Sequence, residues 1–305
     1  MDTVYVLLST YNGEQYLGRQ LDTILAQRDV DVRLMVRDDG SKDGTVGIIR
    51  KYQQEFGNIT LFEGENVGYV KSFMWLINHV ENVQGAFYAF SDQDDIWDPE
   101  KLISGVEKLK KMDAGKSLLY YSDLKVVDEN ENYIRRANTW QGTFTKYTFS
   151  VFIGIRGCTM VFNDVLHAML KPCITKNISG HDNYIPLIPF WMGQVVYDDN
   201  AYINYRQSGG NASLTGVSRW DAFKKNIIYT KKRLTVRKNI HENNAKELLS
   251  HYYTDHAKEL EELKLVAEYR RSLRSRFALM TNPNFKKLPL KVRLFNDLYI
   301  ILGKL

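Results

Sequence analysis

The sequence predicts an α/β fold built on a mostly parallel sheet with helices on both faces, and three observations carry that prediction. Short apolar runs alternate with stretches of helical periodicity through the first hundred residues. Three of those runs end in polar clusters, at residues 9–14, 38–41 and 91–95. A chain of 305 residues with 44% apolar and 25% charged composition can bury a full core and has no bias towards disorder.

Val4 to Leu8 is an unbroken apolar run, the mark of a strand buried on both faces. In 17–27, Leu17, Leu21, Ile24 and Leu25 fall at helical spacing. A second strand at 32–36 leads into Asp38-Asp39-Gly40-Ser41, and a third lies at 59–62. A fourth, at 86–90, runs straight into Ser91-Asp92-Gln93-Asp94-Asp95. Helices at 45–56 and 70–80 separate these strands, Asp43 or Ser41 can cap the first of them, and Pro99 opens a further helix capped by Asp95 or Asp98. Such alternation implies parallel strands, whose ligands bind beyond the carboxyl ends. The three polar clusters therefore meet on one rim.

Shorter β-rich runs at 118–121, 158–162 and 194–197, with a helix near 165–170, read as a second half of the same domain. Beyond Trp220 the pattern is helical and basic, so the chain divides into a domain at 1–216 and a helical region at 217–305. The net charge of +5 hides this division, because residues 219–305 hold 20 Lys and Arg against 9 Asp and Glu. Cys158 and Cys173 lack metal-ligand spacing and are assigned no redox role. The first residues, MDTVYVLLST, lack the basic start and long apolar run of a secretory signal, which predicts a cytoplasmic location.

Asp92, Asp94 and Asp95 crowd the end of one strand. Carboxylates so placed repel one another unless a hard divalent cation, Mg²⁺ or Mn²⁺, offsets them. Tyr11 suits stacking on a nucleobase, with a nearby carboxylate accepting from the ring N–H, although an ordinary turn has the same composition.

In this order Ser9-Thr10-Tyr11-Asn12 with Glu14, then 36–45 (VRDDGSKDGT), Asn66-Val67-Gly68 and 91–97 (SDQDDIW) resemble the family 2 glycosyltransferases, whose catalytic domain has the Rossmann-like GT-A fold. The match covers about the first 215 residues. The resemblance implies an inverting, metal-dependent sugar transferase using a nucleotide diphosphate donor. Ser9, Tyr11, Glu14 and Asp39 would hold the base, with Thr10 in the same turn. Asn66, Gly68 and Lys71 would line the nucleotide, Asp92 would meet the ribose with Gln93 beside it, and Asp94 would ligate the metal. The spelling SDQDDIW looks like the branch containing bacterial rhamnosyltransferases of cell-surface polysaccharide assembly, which implies dTDP-L-rhamnose as donor; a UDP-hexose or UDP-N-acetylhexosamine is the alternative.

Residues 157–163 (GCTMVFN) look like the acceptor-side segment of that branch, with Cys158 read as core. An acid at the position of Asp182 serves this family as general base, and His181 is read as an orienting or packing neighbour. Arg206 is expected at the diphosphate. Ser208 departs from the pattern, standing where a metal-ligating histidine is often found.

In the tail, Lys224, Lys225, Lys231, Lys232, Arg233, Arg270, Arg271, Arg274 and Arg276 alternate with apolar residues, and 288–302 reads as an amphipathic helix lying in an interface. This predicts peripheral attachment to the anionic inner face of a bacterial cell membrane, where a lipid-linked glycan would be the acceptor; a homodimer is the competing use of the same surface. No nucleic-acid motif accompanies the basic tail. A nucleotidyltransferase would carry a glycine-rich basic phosphate loop where this chain has Thr10-Tyr11-Asn12-Gly13-Glu14, and a non-catalytic sugar-binding module would have no need of Asp92, Asp94 and Asp182 together.

Overall fold

A computed structural model describes residues 1–137, 144–152, 154–171, 178, 180–207 and 239–305. The chain divides into two compact units, Met1–Gln141 with Ile155–Lys176 and Gly180–Arg206, and Gly142–Gly154 with Asn177–Ser179 and Gln207–Leu305. The boundary read near Gly216 lies outside the described residues, as do Ser208, Cys173 and the basic residues from Lys224 to Arg233.

Through the first hundred residues, β1 (Asp2–Thr10), α1 (Leu17–Leu25), β2 (Val30–Asp38), α2 (Thr45–Glu55), β3 (Ile59–Glu63), α3 (Tyr69–His79) and β4 (Phe87–Ser91) alternate. There follow β5 (Ile96–Trp97), α4 (Lys101–Leu109), β6 (Leu118–Val127), β7 (Tyr133–Arg136) and, in the second unit, α5 (Lys146–Phe149). The first unit resumes with β8 (Met160–Asn163), α6 (Asp164–Leu170), α7 (His181–Tyr184), α8 (Leu187–Met192) and β9 (Gln194–Arg206). The nine strands among the described residues form one sheet, ordered β3-β2-β1-β4-β8-β6-β9-β5 with β7 on β6.

The half β3-β2-β1-β4 is parallel, and its register builds the rim. Thr10 lies beside Asp38 and Leu8 beside Ser91, so three chain reversals open at one level. Below them Val4, Val6, Leu8, Leu34 and Val36 are buried against Leu17, Leu21 and Ile24 of α1, the residues whose spacing marked that helix. The other half is mixed. β8 runs antiparallel to both β4 and β6, pairing Val161 with Ala89, so it starts where β4 ends. The tight turn at Gly157–Thr159 is thereby delivered to the same rim.

β9 is 13 residues long where the sequence suggested four, because half-buried polar residues continue a ladder with β6 that the apolar pattern does not mark. β5 and β7, of two and four residues, carry no periodicity to read.

In the second unit, helices Ile240–Tyr252, Ala257–Leu260, Lys264–Glu268, Leu273–Thr281 and Leu290–Ile301 bury Leu248, Leu260, Leu263, Val266, Leu279 and Ile300. Glu242, itself buried, pairs with Arg270 and Lys246. No helix among the described residues is long and apolar enough to cross a membrane.

Candidate active site

The turn after β1 is held by reciprocal hydrogen bonds. The Tyr11 N–H donates to Gln93 Oε1 at 2.8 Å and Gln93 Nε2 donates to the Tyr11 carbonyl at 3.1 Å. Asn12 is clamped between Ser41 and the Lys42 amide at 2.9 and 2.8 Å, and Glu14 accepts from the Gly44 amide at 2.6 Å. Thr10 donates to Asp38 at 3.0 Å. With this scaffold behind it, the Tyr11 ring stands 46% exposed above the rim.

The two acids after β2 divide the work. Asp38 folds its own loop, accepting from the Gly40 amide (3.1 Å), the Ser41 amide (2.8 Å) and the Ser41 hydroxyl (2.6 Å). Asp39, 2% exposed, pairs with buried Arg37 and accepts from the amides of Val67 and Gly68 at 3.0 and 2.8 Å. Arg37 also reaches Ser72 at 3.0 Å, whose hydroxyl receives that of Ser9 at 2.6 Å. Ser9, Asp39 and Gly68 therefore share one network, which Arg37 and Ser72 complete. Asn66 accepts from the Gly68 amide at 3.2 Å, and exposed Lys71 follows on the first turn of α3.

At the end of β4, burial pushes the Asp92 carboxyl up to about 7, and the neighbouring carboxylates Asp94 and Asp182 push the same way, against Arg156. Burial also raises Asp94. Asp182 lies in the first turn of α7, which packs on α3, and its charge acts on the same acidic group. This crowding fits a divalent cation, which would remove the repulsion by binding the ionised forms.

Behind the rim lies a second cluster in which ligand atoms of Asp92, Asp95 and Cys158 are within 4.8 Å of one another. Burial drives Asp95 and Cys158 well up and Lys101 down to about 7, each towards its uncharged form; the neighbouring Asp92 charge pushes Asp95 and Cys158 the same way, and the Lys101 charge pushes them back. The Lys101 ammonium also sits 3.5 Å from the Trp97 ring centroid. A protonated thiol beside a buried amine is poor coordination for Mg²⁺ or Mn²⁺, so the outward carboxylates Asp92 and Asp94 are the better ligands.

His181 is 5% exposed, with its ring 4.2 Å from Phe73 and 5.0 Å from Phe90, and burial lowers its pKa, so it is neutral. Gly157 makes room for it, since a Cβ there would lie 2.4 Å from Nε2. Arg206, expected at the diphosphate, is 4% exposed and turned inward. It donates to the carbonyls of Asp94 (3.2 Å) and Glu129 (2.7 Å) and to Glu131, over the Tyr16 ring, and so pins the Asp94 loop. Arg37, Ser72, Lys101 and Arg156 were not singled out by sequence. Arg37 alone had a signal, as part of the VRDD run.

A Rossmann-like rim that gathers an exposed tyrosine, a carboxylate cluster and a separate acid has the architecture of the GT-A class. A profile of Glycosyl transferase family 2 matches residues 5–170, and the chain belongs to that family. It is 35% identical over 105 residues to the dTDP-rhamnosyl transferase RfbG of Shigella flexneri, which covers 33% of this chain and 36% of that protein, so the match spans about a third of the relative's length. An uncharacterised glycosyltransferase of Rickettsia typhi is 22% identical over 226 residues, 72% of this chain and 69% of that one. Among solved structures, S. aureus TarS 1-349 with UDP-GlcNAc superposes with a TM-score of 0.57 at 16% identity, covering 99% of this chain and 90% of that one, a likeness of fold.

Proposed function

We propose that this chain transfers L-rhamnose from dTDP-L-rhamnose, with inversion, to a lipid-linked glycan acceptor during assembly of a bacterial surface polysaccharide. The observation that carries the transferase chemistry is the meeting of Asp92, Asp94 and Asp182, from segments far apart in the chain, in one acidic group. The donor rests on the likeness to the Shigella dTDP-rhamnosyl transferase.

Tyr11 stacks on the base, Glu14 and Asp39 fix its edge through their loops, and Thr10, Asn66, Gly68 and Lys71 line the nucleotide. Asp92 meets the ribose, while Gln93 keeps Tyr11 in place. Asp94, with Asp92, would hold Mg²⁺ or Mn²⁺, which would supply positive charge to the departing diphosphate. Asp182 takes the proton of the acceptor hydroxyl as its oxygen attacks the anomeric carbon. The bond from that carbon to the diphosphate breaks on the opposite face, its electron pair leaving with the phosphate oxygen.

The helix at Leu290–Ile301 supports a peripheral position at the cytoplasmic face of the membrane. Leu290, Leu294, Leu298 and Ile301 recur along it at 43–61% exposure, with Lys291 and Arg293 between them.

A panel of nucleotide sugars assayed for Mn²⁺-dependent hydrolysis and thermal stabilisation tests the reading. dTDP-L-rhamnose is expected to stabilise most. A larger shift with UDP-glucose or UDP-GlcNAc would reassign the donor, and no response to any of them would overturn the transferase reading. For the membrane part, Leu294→Glu with Leu298→Glu should abolish flotation with anionic liposomes; unchanged flotation would refute it.

A further inference from the structure

We infer that Arg156 binds the sugar-bearing phosphate of the donor; this rests on the glycosyl-transfer reading above. Since β8 starts where β4 ends, residues 156–159 enter the rim beside the Asp92 loop. The backbone after residue 156 is held in place. Its carbonyl accepts from the Thr159 amide at 3.1 Å and the Thr159 hydroxyl at 2.8 Å, and Thr159 is 2% exposed. Gly157 abuts the His181 ring too closely to admit a side chain. Two residues on, Cys158 places its sulfur within 4.8 Å of an Asp92 oxygen.

From this rigid base the Arg156 side chain extends into the open. Among the described residues no hydrogen bond or ion pair holds its guanidinium, although its charge favours the ionised form of Asp92. The planar fork thus retains its donors for a ligand, and phosphate is the anion it matches. The contrast with Arg206 is direct, since that residue spends its donors on Asp94, Glu129 and Glu131. Arg156 also lies on the side of the proposed base, because its neighbour Gly157 touches His181 and Asp182 comes next in the chain. The phosphate found on that side of a bound donor is the one joined to the anomeric carbon.

Calorimetric titration with dTDP and dTMP in the presence of Mn²⁺ separates that phosphate from the rest of the nucleotide. Arg156→Ala should weaken dTDP binding by roughly 10- to 100-fold and dTMP binding by less than about 2-fold, the usual range for a lost charge-assisted hydrogen bond. Arg156→Lys should restore part of the loss, and the melting temperature without nucleotide should not move. Equal losses for dTDP and dTMP, or wild-type dTDP affinity in Arg156→Ala, would overturn the inference while leaving the transferase reading intact. Failure of the wild-type protein to bind dTDP or UDP at all would count against both.

Discussion

The two sides of the rim are built on opposite terms. On the nucleotide side the polar groups are matched within the protein: Asp38 to Thr10, Gly40 and Ser41, Glu14 to Gly44, Gln93 to Tyr11, and Asp39 to Arg37, Val67 and Gly68. On the reaction side Asp92 and Asp94 are pushed towards protonation, and among the described residues both ring nitrogens of His181 lack a hydrogen-bond partner and no ion pair holds the Arg156 guanidinium. Matched groups fix a shape at little electrostatic cost, which suits recognition of a base. Mismatched groups store unfavourable energy that a cation and a substrate would relieve, which suits chemistry. Substitutions on the first side should therefore cost stability, and those on the second should cost turnover.

The largest expected effect is on the reaction side. Asp182→Asn keeps shape and removes basicity, so turnover should fall roughly 10²-fold or more while dTDP affinity and melting temperature stay near wild type. Near-normal transfer would remove Asp182 from the role of base. On the matched side Asp39→Ala leaves Arg37 buried without its partner, and stability should drop by about 3–5 kcal/mol in denaturant titration, with donor binding lost as the Gly68 loop is released. A loss of only a few tenths would mean that the network is not what shapes this pocket.

Asp92→Asn sharpens the contrast, because it should abolish metal-dependent turnover yet raise the melting temperature of the nucleotide-free protein by roughly 2–4 °C. The substitution removes a charge that burial and two neighbouring carboxylates disfavour. A lowered melting temperature would show that the acidic group is balanced within the protein and needs no cation.

How far each side was legible in the sequence follows the same division. The matched side is local: SxxN turns, the DDGS loop and the apolar runs before them lie within short stretches, and the parallel register sets Thr10 beside Asp38 without further information. The reaction side is assembled from distant segments. Arg206 reads as a phosphate ligand until the chain closes it on carbonyls 112 and 77 residues away. Arg156, two residues before the β-rich run at 158–162, carries no signal until β8 turns out to run antiparallel to β4. No periodicity records either event, and the short strands β5 and β7 escaped for the same reason.

The smallest expected effect concerns His181, which can be removed without touching a charge. Its imidazole is buried among Phe73, Phe90 and Tyr69, the Asp182 carboxylate acts on it, and burial outweighs that carboxylate to lower its pKa. An unfolded chain protonates histidine near 6.5, so below that pH the unfolded state takes up a proton that the folded state refuses. Stability from this source is complete above 6.5 and declines as the pH falls. His167, held at about 4 by burial and by Lys171, acts in the same direction, whereas the raised carboxyls of Asp92, Asp94 and Asp95 act against both, so the histidine contribution is read from the difference between variant and wild type. His181→Phe fills a similar volume and has no nitrogen to leave unbonded, so at pH 7.5 it should change stability by less than about 1 kcal/mol. At pH 5 it should be more stable relative to wild type than at pH 7.5, and that change measures the His181 contribution. Turnover should shift only a few-fold, because Asp182 keeps its place on α7. A collapse of turnover at unchanged melting temperature would show instead that an imidazole nitrogen reaches the substrate.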